Sequence, residues 1–189
     1  MIEITQEMFD AATQEVARRG GYLNPHFNLD YLDEQTRQII GFLGEFACQE
    51  HLGIDWRDNI RDDYLVADDY DFIFNNQRVD VKTETIPTEH TLNQVINRTI
   101  SDDAAYGRRL IHQNQFRNNV PNYDYILFGC FLRPNNGQWT PVGEHWHPIG
   151  SISCTYILEN YQAPAQKPFG NGDYPFPCVN IRTSELVGF

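Results

Sequence analysis

The stretch Tyr70-Asp-Phe-Ile-Phe-Asn-Asn-Gln-Arg-Val-Asp-Val-Lys-Thr-Glu84 holds two runs that alternate like buried strands, yet Asp71, Asp80 and Lys82 sit among their apolar residues. Side chains alternate faces along a strand, so Asp80 and Lys82 point one way and Val79, Val81 and Thr83 the other. Pairing the runs about a turn at Asn75-Asn76-Gln77 brings Asp71 alongside Asp80 to Lys82. Two carboxylates taken out of water repel each other, and each is costly to desolvate. A hard divalent cation between them removes both costs. All-oxygen ligation suits Mg²⁺, which keeps several waters and binds through one or two carboxylates plus phosphate oxygens. A protonated Lys82 is no ligand, but it can orient or deprotonate a metal-bound water, or neutralise charge developing on a phosphate. Together these parts describe metal-assisted hydrolysis of a phosphodiester.

The elements that must position these groups are legible around them. Thr5 can cap a helix reaching about Arg19, with Met8, Phe9, Ala12 and Val16 as its apolar stripe and Gly20-Gly21 as its stop. After a loop at 24–30, a second helix is expected from about Asp30 to His51. Gly41 and Gly44 in its middle each cost about 1 kcal/mol relative to alanine, which suggests close packing on a neighbour. Residues 54–69 are polar and acidic, and read as a loop. The hairpin follows as strand Tyr70 to Phe74 and strand Arg78 to Thr83, and residues 91 to 116 are expected to be helical. Tyr123 to Leu132 is a near-continuous apolar run, the pattern of a strand buried on both faces. Pro134-Asn-Asn-Gly137 turns the chain, Trp139 to Gly150 returns as strand or loop, and Ser151 to Tyr161 reads as a short helix. Residues 163 to 177 are irregular, and Cys178 to Leu186 closes as a strand and a turn. The order points to one α/β domain over 1–189: a central mixed β-sheet flanked by helices, its core at about 30–132 and an extension at about 133–189.

At 189 residues with 41% hydrophobic content, the chain is long enough to bury a core and excludes disordered and fibrous classes. It has no run of about 18 apolar residues and no signal-like N-terminus, so a cytoplasmic protein with no membrane partner is expected. Cys48, Cys130, Cys154 and Cys178 form no close pair and read as buried thiols. His145 and His147, with Cys154 and Cys178, offer two imidazoles and two thiolates. Their spacing is far wider than in structural zinc sites, which favours core cysteines and loop histidines. The formal charge of −12 is uneven: residues 1–75 carry 16 Asp/Glu against 5 Lys/Arg, and residues 76–189 carry 10 against 9. Within 97–120 the balance reverses. Arg98, Arg108, Arg109 and Arg117, among Gln113, Gln115 and several asparagines, can serve phosphates or form a solvated helix face.

These residues resemble the PD-(D/E)XK nuclease superfamily. The matching pieces are Gly41-Phe-Leu-Gly-Glu45 on a helix, Tyr70-Asp71-Phe72 opening the hairpin, and Val79-Asp80-Val-Lys82-Thr83 on its second strand. Tyr70 stands where proline is usual in the family. The resemblance implies a restriction-endonuclease-like core, with Asp71, Asp80 and the carbonyl of Val81 as metal ligands and Lys82 as the catalytic lysine. It implies that Glu45 binds the metal or its water shell; on a helical wheel it shares a face with Gly41, Phe42 and Cys48. It also implies a glutamine on a later helix, a place that Gln113 or Gln115 can fill. The endings at 139–143 and 179–186 resemble those of small phage and bacterial members, which implies a bacterial cell or a phage-infected host.

The function that follows is a Mg²⁺-dependent deoxyribonuclease, an endonuclease, with Mn²⁺ able to substitute and DNA as the partner. Strong negative charge opposes a polyanion. Modest standalone DNA affinity, strong salt sensitivity, or help from a homodimer or a protein partner is therefore expected. The alternative is a catalytically silent nuclease-fold interaction module, or an acidic DNA-mimicking inhibitor of a basic partner. An RNA-directed nuclease using the same site is a third possibility.

Overall fold

The computed structural model describes residues 1–19, 33–60, 70–133, 141–162 and 177–188. The expected loop at 24–30, the start of the second helix near Asp30, the turn at 134–137 and the irregular stretch at 163–176 lie outside the described residues, as does 61–69 of the acidic segment. In chain order the strands are β1 (Ile2–Glu3), β2 (Phe72–Phe74), β3 (Gln77–Ile86), β4 (Arg108–His112), β5 (Tyr125–Leu132), β6 (His145–Ser153) and β7 (Cys178–Arg182). The α-helices are α1 (Gln6–Arg19), α2 (Glu34–His51), α3 (Glu89–Ile96), α4 (Gln113–Asn118) and α5 (Cys154–Asn160).

Five strands form a mixed sheet in the order β1-β6-β5-β3-β2, in which β3 and β5 run parallel and the other pairs antiparallel. The sheet thus takes strands from both sides of the expected 30–132 core. β4 and β7 make a separate antiparallel ribbon. The near-continuous apolar run of β5 is explained by its two covered faces. Leu127 and Phe131 pack with α1 and α2, while Ile126, Phe128 and Cys130 pack with α3, α5 and the β4–β7 ribbon. Among the described residues no helix is long and apolar enough to cross a membrane.

Local chemistry accounts for the elements near the hairpin. Asn75 and Asn76 have φ of 51° and 63°, so a two-residue turn with both centres left-handed joins β2 and β3, one residue tighter than expected. Thr5 Oγ1 accepts from the Met8 amide at 3.2 Å, as a cap for α1. Asp33 caps α2, its carboxylate accepting from the Thr36 amide at 2.9 Å. A Cβ on Gly44 would stand 1.8 Å from Thr83 Oγ1, so α2 can lie on β3 only where the helix has no side chain. The same test finds nothing within 4 Å of Gly41.

The expectation of one helix over 91–116 does not hold. α3 ends at Ile96, Arg98 takes a left-handed φ of 54°, and the chain resumes as β4 and then α4. In β4, Arg109 and Ile111 are buried while Arg108 and Leu110 are half-buried, a period of two. The inward position held by an arginine hides that alternation from a hydrophobicity count. Gly107 fixes the entry to β4, since a Cβ there would stand 2.1 Å from the Ser101 carbonyl.

Candidate active site

β3 is the strand on which the site is built. β2 pairs with Gln77, Arg78 and Val79, so among the described strands the β2-side edge of β3 has no ladder partner from Asp80 onward. Asp71, one residue before β2, fills part of that gap. Its amide donates to the Val79 carbonyl at 2.9 Å, and its Oδ2 accepts from the Val81 amide at 2.6 Å. The carboxylate thereby replaces a strand partner and is fixed beside Asp80 and Lys82. Amide and carbonyl of one strand residue leave on the same edge, so the Val81 carbonyl faces the Asp71 side as well.

Val79 and Val81 enter the core against α2, so Asp80 and Lys82 project to the opposite face, toward the Ile126, Ile152 and Cys154 cluster. Asp80 is 3% exposed. Lys82 Nζ lies 2.5 Å from Asp80 Oδ2, with 24% of the lysine side chain exposed. Burial works against the lysine charge, but Asp80, Asp71 and Glu45 outweigh it and hold its pKa above the ordinary lysine value. Lys82 is therefore an ammonium at neutral pH.

Glu45, half-buried on α2, is electrostatically coupled to Lys82 and to the Cys48 thiol. Asp71, Asp80, Lys82 and Glu45 thus form one electrostatic group. Asp71, Asp80 and the Val81 carbonyl are hard oxygen donors, of the kind and number through which Mg²⁺ is held with several waters. Among the described residues no group of three or more His, Cys, Asp or Glu side chains is arranged to hold a metal ion. Two carboxylates and a carbonyl would leave the rest of such an ion's shell to water.

Two contacts at the site were not foreseen. The Tyr123 hydroxyl lies in the field of Asp80 and Asp71, beside Asn119; burial first, then Asp80 and Asp71, raise its pKa. Tyr123 reads in sequence as the first residue of the β5 run, and nothing in its neighbours marks it as polar in purpose. Glu84, two residues beyond Lys82 on the same face, is ion-paired with Arg109 of β4. This pair spans the main sheet and the ribbon, so no local pattern announces it.

The arginines expected to serve phosphates are dispersed. Arg109 is 1% exposed and faces Glu84 and the Tyr106 carbonyl, so burial removes it from any surface strip. Arg98 donates to the Ile149 carbonyl at 2.9 Å, and Arg108 to the Asp102 carbonyl at 2.9 Å and to Asp103 at 3.0 Å. Arg117 is exposed at the end of α4, which also carries half-buried Gln113 and Gln115. It is Asn119, just after α4, that reaches the site through Tyr123. All four cysteines are buried and none is in a disulfide. Burial pushes Cys130 and Cys154 up to about 12 and Cys178 to about 11, so these thiols stay protonated at neutral pH. His145 and His147 lie on β6, not in a loop, with ring centroids 6.4 Å apart.

Comparisons of the chain with protein-family models, curated proteins and solved structures found no match.

Proposed function

We propose that this protein is a Mg²⁺-dependent phosphodiesterase of the PD-(D/E)XK type, with a restriction-endonuclease-like core, and that it cuts DNA internally. The observation that supports this best is the arrangement on β3. A buried Asp80 and a protonated Lys82 share one face, and Asp71 is fixed beside them by the Val81 amide. A fold has no structural need to bury Asp80 with Lys82 here, since an apolar replacement of a buried ion pair is often neutral or stabilising.

Asp71, Asp80 and the Val81 carbonyl would hold the ion, with Glu45 at its water shell. The bound ion supplies a polarised water and neutralises phosphate charge. Lys82 places a positive charge where negative charge grows on the phosphate as the bond breaks. Asp80 keeps that ammonium in place. Mn²⁺ is expected to substitute for Mg²⁺.

The test is cleavage of supercoiled plasmid, linear duplex, single strands and RNA with Mg²⁺, Mn²⁺ or EDTA, beside Asp80→Ala and Lys82→Ala. Metal-dependent cutting of circular duplex DNA that both substitutions abolish is the expected result. Wild-type activity that persists in both variants would sink the assignment.

A second reading is an acidic interaction module that binds a basic partner. It draws support from the arginines of 98–109, which serve the protein's own carbonyls and carboxylates and leave the charge of −12 little offset at the surface. Partner binding that survives Lys82→Ala, in a protein that cuts no nucleic acid, would favour it.

A further inference from the structure

Along one face of β3, charges alternate as Asp80, Lys82 and Glu84, each one pleat repeat from the next, and Ile86 follows as core. Lys82 therefore has an acidic neighbour on either side, at equal spacing along the strand. It is at Asp80 that its ammonium lies. The difference between the two neighbours is Arg109. This side chain, 1% exposed, comes from β4 in the second sheet and pairs with Glu84, whose Oε1 is sealed from water. Its charge is also felt by the Cys130 thiol, the residue registered directly opposite Glu84 across the β3–β5 ladder. Arg109 thus stands over the Glu84–Cys130 step, and the Tyr106 carbonyl accepts from its other nitrogen, fixing the guanidinium from behind.

We propose that Arg109 is a positioning residue for Lys82: by neutralising Glu84 it removes the competing carboxylate and leaves the lysine ammonium to Asp80. Without Arg109, Glu84 is a half-buried anion that has lost its partner, and Lys82 is the cation one pleat repeat away on the same face. The lysine turns down the strand, away from Asp80 and Asp71. The inference rests on the proposed catalytic role of Lys82 for its effect on rate, but not for its effect on the lysine's position.

Both can be measured. The chain has two lysines, Lys82 and Lys167, so protein labelled with ¹³C,¹⁵N-lysine gives two sets of side-chain signals, which a Lys167→Arg variant assigns. Arg109→Met is expected to move the Lys82 Cε and Hε signals, and Glu84→Gln/Arg109→Met to return them to their wild-type positions. Cleavage is expected to fall by about 10²-fold in the single variant, the cost of an ångström-scale misplacement, and to recover most of that in the double. Should Arg109→Met not fold, Arg109→Gln takes its place in the same comparison.

Unmoved Lys82 signals in a folded Arg109 variant overturn the proposal, as does a double variant displaced as far as the single. A wild type that cuts no nucleic acid overturns the proposed function instead. The lysine signals then still decide whether Arg109 positions Lys82.

Discussion

Two charge pairs occupy one face of β3, and they differ in origin. Asp80 and Lys82 are two residues apart, so strand geometry alone puts them together. Glu84 is neutralised by a residue 25 positions later, on a strand of another sheet. The first pair remains in contact with a lysine that is 24% exposed, whereas the arginine of the second is 1% exposed. One pair keeps a mobile, reachable cation. The other seals its cation between two sheets. A charge retained for chemistry must stay accessible, and a charge retained for architecture need not.

The largest effect expected from this contrast is on catalysis. Lys82→Ala should lower metal-dependent cleavage by about 10²–10³-fold or more, the range for losing one group that stabilises transition-state charge. Glu84→Gln, on the same face and the same strand, should cost less than about tenfold, because Glu84 touches no reacting atom. Rates on plasmid DNA at saturating Mg²⁺ make the comparison. Equal losses in the two variants would erase the distinction between the pairs.

Stability should suffer in both pairs. Arg109→Met strips Glu84 of its partner, and breaking a buried pair in this way costs about 3–5 kcal/mol. The lower end is expected, since the Glu84 side chain is 31% exposed and water can reach part of it. Glu84→Gln/Arg109→Met should recover most of that loss, while Lys82→Ala, which strands the more deeply buried Asp80, should cost at least as much as Arg109→Met. Urea unfolding midpoints at constant slope give all three values.

The same contrast explains what could be read from the sequence. Features set by near neighbours were legible: the Asp80–Lys82 face, the place of the hairpin turn though not its two-residue length, the cap at Thr5, and the double-sided burial of β5. Gly44 was legible as a contact, although Thr83 as its partner was not. Features set by distant pairing were lost. The inward arginine of β4 disguised a strand as helix polarity, and with it went the ribbon and the Glu84–Arg109 pair. Tyr123 was lost for the same reason, because its function lies in Asp80, which is far off in sequence. β1 was missed too, since two residues carry no period and its strand character comes from pairing with β6.

A further test probes the backing of the site on the other face of β3. Gly44→Ala would press a methyl group into Thr83, the residue after Lys82, whose hydroxyl also accepts from Trp146 Nε1 at 3.2 Å. Overpacking of this kind costs about 1–3 kcal/mol. The substitution should also lower cleavage, because relief of the clash moves β3 away from α2 and the Lys82 backbone moves with it. Gly41→Ala, which meets nothing, should leave the rate unchanged and add slightly to helix stability. Thermal unfolding beside the cleavage rate separates the two glycines.

The smallest effect belongs to a carboxylate that serves structure from the surface. Asp33 is exposed and caps α2, and the Thr36 amide, then the Thr36 hydroxyl, hold its carboxyl below the ordinary range. Asp33→Ala should cost about 1 kcal/mol at pH 7, as losses of such caps do. The sign with pH follows from linkage. A carboxylate whose folded pKa is depressed contributes fully above its unfolded value of about 3.9, and the contribution is lost as pH falls through the lowered folded value. The gap between wild type and Asp33→Ala should therefore be constant from neutral pH down to about 5 and close progressively below about 4. Cleavage at neutral pH should be unaffected, since the cap lies at the start of α2, more than three turns before Glu45. A gap that persisted undiminished at pH 2 would mean that Asp33 acts through something other than its charge. The contrast between the site pair, the sheet-bridging pair and the surface cap would then need a different third member.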